Sequence, residues 1–551
     1  MSSEHALEEG KAIPSLVPAR MDRLPWTRFH WMIIVGLGVS WILDGLEIQL
    51  VSLVGNVLKE PQTLGLTTAQ VGLLASIYLA GEVVGALLFG RLTDKWGRRS
   101  MFIITLMVYL VASGAGGLAW DFWSIALCRF VAGMGIGGEY AAINSAIDEL
   151  IPSKYRGRVD ISVNGTYWAG ALIGSAVGLV LLDKNLVPIE WGWRLCFLVG
   201  PVMGLIIIYL RRHIPESPRW LMTHGRVEEA ERTVDRIEEM VRRQGGQLRE
   251  VSPDEAINVV DYPPVSYREI ARVMLRDYRS RSFLGFSMMV TQAFLYNAIF
   301  FTYALVLKTY FGLSDSGVAL YFFPFAIGNL AGPLLLGHLF DTVGRRKMIL
   351  ATYSISGLVL FITALLFNAG ALTATTLTGL WCVVFFFASA GASSAYLTVS
   401  EIFPIELRGQ AISFFFAISQ LTGGVLAPFL FASLIGSGDN PARGPLTVGY
   451  IIGAVVMVIG GLIAWFFGVD AERQSLENVA TPLSARAAAG ATRFQGSTPR
   501  LPSTDASGRR VTPVPPPDQQ GDQTDQQGDQ AQADAGAQPR GGHTTDRPPS
   551  S

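Results

Sequence analysis

Five charged residues lie inside long apolar stretches of the sequence. Asp44 and Glu47 occur in WILDGLEIQL, Glu82 occurs in AGEVVGALLFG, and RFVAGMGIGGEY contains Arg129 and Glu139. A charge at the centre of a bilayer costs about 2.5–3.5 kcal/mol on insertion scales, so such residues are candidates for ion and substrate pathways by default. The chemistry that they predict is proton binding by a carboxylate that pairs with the arginine.

Asp44 and Arg129 are predicted to lie at the same depth in the membrane. A helix rises about 1.5 Å per residue, which places Asp44 roughly 20 Å above the start of the first apolar stretch near Trp31. The fourth stretch runs the opposite way from Phe122, so Arg129 lies roughly 10 Å below the other surface. In a hydrocarbon core of about 30 Å these depths coincide. We therefore predict an ion pair that a proton breaks by neutralising Asp44, with a static packing pair as the alternative.

The three other buried acids are further candidates for proton coupling. Glu47 shares a helix face with Asp44 and either contacts substrate or lies in the same water-filled cavity. Glu82 stands among small residues, where a structural hydrogen bond fits as well as a coupling role. Glu139 lies nearer the predicted cytoplasmic surface than Arg129. We rank Glu82 and Glu139 below Asp44.

The elements that carry these charges are predicted to be membrane-spanning helices. Half of the 551 residues are hydrophobic and only 16% are charged. Lipid leaves backbone groups no partner outside their own segment, so apolar windows of roughly 20 residues predict helices and an all-α integral membrane protein. We count twelve spans, at 30–56, 69–91, 100–118, 122–150, 160–183, 192–212, 280–308, 315–339, 347–368, 373–402, 410–435 and 446–468.

The glycines of RFVAGMGIGGEY have the G-x-G-x-x-G spacing of dinucleotide-binding turns. Such a turn follows a strand and opens a helix, whereas this stretch belongs to one unbroken apolar run. We predict that the glycines let a neighbouring helix approach closely.

Basic residues cluster in the loops after the second, fourth and eighth spans. The positive-inside rule predicts that these loops and both chain ends are cytoplasmic in a multi-pass protein of the cell membrane. The clusters are Arg91, Lys95, Arg98 and Arg99, then Lys154, Arg156 and Arg158, then Arg345, Arg346 and Lys347.

Two loop sequences occur twice. GRLTDKWGRRS matches GHLFDTVGRRK, and DELIPSKYRGR matches SEIFPIELRGQ. The repeat predicts two six-helix halves of the same direction, at 30–212 and 280–469. The other segments are a leader at 1–29, a cytoplasmic linker with amphipathic helices at 213–279, and a tail at 470–551 whose polar composition predicts disorder.

On these motifs the chain resembles the major facilitator superfamily over roughly residues 30–470. PESPRWL, RFVAGMGIGG and the repeated Glu-x6-Arg-Gly resemble the sugar porters and their relatives that move organic acids. The resemblance implies that a first-span Asp and a fourth-span Arg couple transport to protons, and that the loop motifs form a cytoplasmic gate. The gate residues are Asp94, Arg98, Arg99, Glu149, Arg156, Glu216, Asp341, Arg345, Arg346, Glu401 and Arg408.

Polar and aromatic residues on spans expected to line a cavity are the candidates for substrate contact. The same residue types also anchor helices at membrane interfaces or join helices to each other, which is the alternative for each. They are Asn164, Trp168, Gln292, Asn297 and Trp381.

These features predict a secondary transporter for a small polar solute, either an organic anion or a sugar or polyol, that works by alternating access and proton symport. The 6 His and 3 Cys residues are scattered, so we expect no enzyme activity, no metal and no cofactor. Scattered basic residues give no nucleic-acid surface. We expect a monomer in the lipid bilayer. The alternatives are a membrane solute sensor that keeps the transporter fold and a proton-coupled exporter.

Overall fold

The computed structural model describes residues 13–211, 215–259, 267–300, 302–313, 315–435 and 442–486, which are mostly helical. The helices are α1 (Val17–Asp22), α2 (Arg28–Val57), α3 (Thr68–Trp96), α4 (Arg98–Gly116), α5 (Phe122–Leu150), α6 (Arg156–Gly165), α7 (Tyr167–Leu181), α8 (Ile189–Arg211), α9 (Pro218–Thr223), α10 (Val227–Arg243), α11 (Tyr267–Arg272), α12 (Arg279–Phe300), α13 (Tyr303–Phe311), α14 (Asp315–Thr342), α15 (Arg345–Asn368), α16 (Ala374–Ile402), α17 (Arg408–Ser419), α18 (Ala427–Leu434), α19 (Gly444–Phe467) and α20 (Leu476–Val479). Strands β1 (Ile13–Ser15) and β2 (Ile257–Val259) pair antiparallel.

Nine helical segments in the described part of the chain are long and apolar enough to cross a bilayer. The predicted spans at 122–150, 160–183 and 410–435 fall outside this set. The first of them is the charged helix α5. In the other two, α7 and α17 have only 15 and 12 residues, and about 20 are needed to cross the hydrocarbon.

Three predicted spans are interrupted rather than continuous. Between α6 and α7, the Thr166 hydroxyl donates to the carbonyls of Gly38 at 3.1 Å and Val163 at 2.6 Å. Between α12 and α13, the Thr302 hydroxyl donates to the Ala298 carbonyl. A π-helix, Gln420–Leu426, separates α17 from α18. Hydroxyl groups that bond to the backbone and π segments both bend helices, and hydropathy does not register either.

The glycines of α5 are packing positions, as the sequence predicts. A Cβ on Gly133 would lie 2.2 Å from the Tyr78 carbonyl oxygen, and one on Gly137 would lie 2.0 Å from the Glu82 carbonyl oxygen. Both of those carbonyls belong to α3, so any side chain at these glycines would push α5 and α3 apart. Arg129 on α5 and Glu82 on α3 therefore lie on closely packed neighbouring helices.

The described parts of the N-terminal segment and the linker pack against each other. Glu238 on the amphipathic helix α10 forms ion pairs with Arg20 at 2.9 Å and Arg23 at 2.5 Å. Burial disfavours the ionised carboxylate, but hydrogen bonds and charges from the two arginines outweigh burial and hold the pKa of Glu238 below its usual range. The leader is therefore attached to the linker.

Residues 470–486 have defined contacts, which corrects the prediction of disorder for this part of the tail. Leu476 and Val479 are buried, and Glu477 accepts hydrogen bonds from Arg219 at 2.6 and 2.7 Å. The composition of the whole tail hid this short segment, because its few apolar residues are diluted by a long polar sequence. The predicted tail beyond 486 lies outside the described residues.

Candidate substrate cavity and arginine network

A cavity of about 440 Å³ lies among the helices that carry the predicted site residues. Asn164, Trp168, Gln292 and Asn297 all line it, as expected for substrate contacts. The volume falls within the range of about 300–1,000 Å³ typical of small-molecule sites. The lining reaches Leu58, just beyond the end of α2.

Trp381, the fifth predicted substrate contact, does not line the cavity. Its ring is fully buried, with centroids 6.2 Å from Tyr303 and 6.5 Å from Tyr450. On the same helix, α16, Ser389 and Ser393 face the cavity instead. The prediction was wrong because an apolar span does not reveal the rotation of its helix.

Arg129 forms its ion pair with Glu47, with 2.9 Å between Nη1 and Oε1. The predicted partner was Asp44, and the structure corrects that pairing. The two acids are three residues apart, a rise of about 4.5 Å, and tilted helices make depth estimates coarser than that. Arg129 lines the cavity, whereas Glu47 lies behind it in the wall.

The Glu47 carboxylate is fully engaged by neighbouring donors. The Tyr109 hydroxyl donates to it, and the Ser113 hydroxyl donates at 3.0 Å. The Arg129 guanidinium also lies 4.0 Å from the centre of the Tyr78 ring. Charges this deeply buried are stable only when they are paired and hydrogen-bonded. Sequence reasoning missed the two tyrosines, because one tyrosine in an apolar run carries no distinguishing signal.

Glu82 lies in the cavity wall and accepts a hydrogen bond from the Gln420 amide at 2.7 Å. This bond joins α3 to the π-helix segment that follows α17. Asp44 and Glu139 are buried, with 0% and 1% of their surface exposed, and neither lines the cavity. Their roles in proton coupling remain predictions.

Most of the predicted gate residues form two matching ion-pair clusters at one end of the bundle. In the first cluster, Arg98 lies 2.9 Å from Glu149 and 3.3 Å from Asp94. Glu149 also lies 3.3 Å from Arg408, more than 250 residues later in the sequence. Fully buried groups from distant segments therefore hold each other by charge.

The second cluster repeats this arrangement with the corresponding residues. Arg345 lies 2.8 Å from Asp341 and 3.0 Å from Glu401, and Glu401 lies 3.6 Å from Arg156. We call the two clusters together the arginine network, and the end of the bundle that holds it the network end. Its members are Asp94, Arg98, Glu149, Arg156, Asp341, Arg345, Glu401 and Arg408.

Each aspartate of the arginine network also binds the first turn of a distant helix. Asp94 accepts hydrogen bonds from the backbone N–H groups of Gly409 at 3.1 Å and Gln410 at 3.0 Å, in α17. Asp341 accepts from Gly157 at 3.2 Å and from the next residue at 2.7 Å, in α6. A carboxylate at a helix N-terminus satisfies free N–H groups and is favoured by the helix dipole.

Glu216 and Glu472 occupy corresponding positions beside the network. Gly97 and Gly344, with φ of 95° and 114°, turn the chain into α4 and α15, and glycine adopts this backbone region readily. Glu216 accepts a hydrogen bond from the backbone N–H of the residue after Gly97 at 2.9 Å. Glu472 accepts one from the backbone N–H of the residue after Gly344 at 3.5 Å. Burial raises the pKa of Glu216, although backbone N–H groups oppose the shift. Sequence reasoning missed Glu472, because it fell in the predicted tail.

The remaining two gate candidates lie at the surface. Arg346 contacts Asp470 at 3.4 Å and donates to the Trp465 carbonyl. Arg99 is exposed, and its backbone N–H contacts Glu216. The structure places Arg346 outside the arginine network, because consecutive arginines at a helix start point in different directions.

Four aromatic rings close the cavity toward the network end. Trp41, Tyr140, Tyr396 and Phe416 come from α2, α5, α16 and α17, and each is the lining residue of its helix closest to that end. The Tyr140 ring lies 4.7 Å from both Trp41 and Phe416, and Trp41 lies 6.1 Å from Tyr396. Contacts at these distances are favourable for aromatic pairs. We call these four rings the aromatic floor.

Comparison with known proteins gives consistent relatives over most of the chain. The family model described as "Sugar (and other) transporter" matches residues 46–482. The niacin transporter NiaP of Acinetobacter baylyi is 24% identical over 84% of this chain and 99% of its own length. The putative metabolite transport protein YdjK of Escherichia coli is 28% identical, over 84% and 96%. A D-xylose transporter of Levilactobacillus brevis is 23% identical, over 81% and 94%.

Solved structures give the same fold. The proton:xylose symporter XylE, bound to 6-bromo-6-deoxy-D-glucose, matches with a TM-score of 0.66 at 19% identity, over 82% of this chain and 98% of XylE. A D-xylose-proton symporter matches with a TM-score of 0.58 at 20% identity, over 81% and 100%. The described helices therefore have the fold of these symporters.

Proposed function

Since the chain belongs to the sugar transporter family of the major facilitator superfamily, we propose that this secondary transporter carries a small polar solute through the described cavity by alternating access and proton symport. We further propose twelve spans in two six-helix halves, at the predicted bounds 30–212 and 280–469. The proposal also places the network end and both termini in the cytoplasm, and the protein in the cell membrane as a monomer. The matching clusters of the arginine network support the two halves.

The observation that carries proton symport is the buried Arg129–Glu47 ion pair in the cavity wall. Protonation of Glu47 neutralises one partner and leaves the Arg129 guanidinium available at the cavity surface. Loss of the proton restores the ion pair. A solute and a proton then favour the same state of the wall, which is the requirement for coupling their movements.

The described arrangement corresponds to an outward-facing state in this proposal. The arginine network is closed at the end that we assign to the cytoplasm, and the aromatic floor separates it from the cavity. The cavity extends the other way to Leu58. Opening to the cytoplasm requires the floor rings to separate and the network pairs to part.

Two solute classes fit the cavity. Asn164, Gln292 and Asn297 offer amide donors and acceptors beside aromatic rings, which suits a sugar or polyol. Arg129, freed by protonation of Glu47, suits the carboxylate of an organic anion. The relatives named for D-xylose and niacin provide one probe of each class.

Proteoliposomes containing the full chain test the proposal with D-xylose and niacin as probes. The parent protein should accumulate at least one probe when the outside is acidic. Glu47→Gln, which imitates the protonated carboxyl group, should keep counterflow of that probe but lose accumulation above equilibrium. Counterflow needs only reorientation of the loaded carrier, whereas accumulation needs the proton to bind and leave.

The exposed Glu231→Gln in α10 is the matched control and should behave as the parent. Full accumulation by Glu47→Gln would remove Glu47 from the coupling mechanism and make Asp44→Asn the next variant to test. A parent protein that binds a probe without counterflow would be a sensor. Accumulation that requires an acidic interior would identify a proton-coupled exporter.

A further inference from the structure

Two aspartates, Asp148 and Asp160, are buried outside both the cavity lining and the arginine network. Asp148 lies on α5 directly before Glu149, and Asp160 lies on α6 one turn after Arg156. Both have 0% exposed surface. Among the described residues, no hydrogen-bond donor reaches either oxygen of either carboxyl group. A buried carboxyl group in this condition is unusual and calls for a physical explanation.

The two uncharged donors that face these aspartates are engaged elsewhere. The Ser400 hydroxyl, which faces Asp148, donates to the Leu397 carbonyl at 2.8 Å. The Asn164 amide, which faces Asp160, donates to the Asp160 backbone carbonyl at 2.8 Å and to the Asn144 side-chain oxygen at 3.2 Å. Neither of these two uncharged donors therefore satisfies a carboxyl group.

The charges around the two aspartates are already balanced without them. Asp148 faces Arg156, Arg408 and Glu401, and Asp160 faces Arg345, Glu401 and Asp148 itself. These arginines pair with Glu149, Glu401 and Asp341 inside the arginine network, which contains four arginines and four carboxylates. Two further ionised carboxylates would leave a buried excess of negative charge, which is strongly unfavourable.

The repeat shows that the fold does not require acids at these positions. When Glu149 is aligned with Glu401 and Arg156 with Arg408, Asp148 corresponds to Ser400 and Asp160 to Ile412. Ser400 and Ile412 are also fully buried at the matching places. A serine and an isoleucine thus satisfy the same packing, so the acids need an explanation other than structure.

Asn164 connects this pair to the cavity. It lies one turn after Asp160 on α6, and it lines the cavity. Asp160 is thus one side chain away from the cavity, and Asp148 is next to the arginine network. Chains of buried acids between a central site and one membrane surface are typical of proton relays.

We propose that Asp148 and Asp160 form a proton-binding site, which holds at least one proton while the arginine network is closed and releases it when the network opens. The O–H bond of the carboxylic acid then breaks, the proton passes to water at the network end, and the carboxylate formed pairs with an arginine freed from Glu149 or Glu401. A role of this proton in transport rests on the proposed proton symport. The binding of a proton by the two aspartates does not depend on that proposal.

Infrared spectroscopy of the full chain in liposomes tests the site directly at neutral pH. A protonated carboxylic acid has a carbonyl stretching band that an ionised carboxylate lacks. The parent spectrum minus that of the Asp148→Asn, Asp160→Asn double variant should show such a band, equal to at least one carboxylic acid per chain. The same difference for Glu231→Gln should show none.

A parent-minus-double-variant difference that contains carboxylate bands alone would overturn the proposal. If the double variant does not fold, the single variants Asp148→Asn and Asp160→Asn decide, because removal of the carboxyl group that holds the proton must abolish or shift the band. An unchanged band in both single variants would refute the site. If instead the band is present and Glu47→Gln still accumulates solute, coupling at Glu47 fails while the Asp148 and Asp160 site stands.

Discussion

One helical turn decides which carboxylate neutralises Arg129. Asp44 and Glu47 share a face of α2, and both were predicted from their charge in an apolar stretch. The structure selects Glu47, because Tyr109 and Ser113 supply hydroxyl donors at its depth. Sequence identifies the set of buried charges, but the partners of each charge depend on uncharged neighbours that no motif marks.

Substitutions of Glu82 distinguish its two predicted roles, a structural hydrogen bond and proton coupling. Its hydrogen bond from Gln420 joins α3 to the π segment at 2.7 Å, and a glutamine can accept the same bond without ionising. We expect Glu82→Gln to keep proton-driven accumulation, and Glu82→Ala to reduce stability by about 0.5–1.5 kcal/mol because it removes the hydrogen bond of a partly buried amide. Accumulation assays and thermal unfolding of the purified variants measure the two effects. Loss of accumulation in a stable Glu82→Gln protein would instead assign Glu82 a role in coupling.

At the scale of helices, hydropathy predicted positions well and interruptions poorly. The tenth span was predicted at 373–402, and α16 is Ala374–Ile402. The breaks at Thr166 and Thr302 and the π segment escaped detection, because each depends on where a hydroxyl or a backbone group finds its partner. The orientation of Trp381 away from the cavity has the same origin, since a uniformly apolar helix gives no sign of its inner face.

The aspartates of the arginine network give a prediction at the scale of helices. Asp94→Asn removes the charge that holds the first turn of α17, and we expect it to shift the protein toward the state open at the network end. Transport rate should change more than solute affinity, because the cavity residues are untouched. Labelling of single cysteines placed at the two cavity mouths measures the shift.

Two further variants give this experiment its controls. Asp341→Asn should produce the same shift, since Asp341 holds α6 in the corresponding way. The surface variant Arg346→Ala should leave labelling unchanged. If all three variants label as the parent does at both mouths, the repeated loop motif serves only membrane topology and not gating.

At the scale of the whole molecule, the segments outside the long helices are joined to each other by buried charges. Arg219 of α9 is fully buried and lies 3.1 Å from Asp22 in the N-terminal segment and 2.6 Å from Glu477 after the last long helix. The Glu406 carboxylate accepts backbone hydrogen bonds from Leu483 and Ser484 at 3.0 Å. Composition could not have predicted these contacts, because it averages a few fixed residues with a long polar sequence.

Two truncations test where the structural part of the chain ends. Removal of everything after Arg486 keeps all of these contacts, so we expect uptake to stay within about twofold of the parent. Removal of everything after Asp470 deprives Arg219 of Glu477 and leaves Asp22 as its remaining partner, so we expect a loss below the about 3–5 kcal/mol typical when a buried charge loses its only partner. The longer deletion should therefore lower the thermal unfolding temperature and the amount of protein in the membrane. Glu477→Gln in the full chain should reproduce part of that loss, and equal stability of both truncations would show that residues 471–486 contribute nothing to the fold.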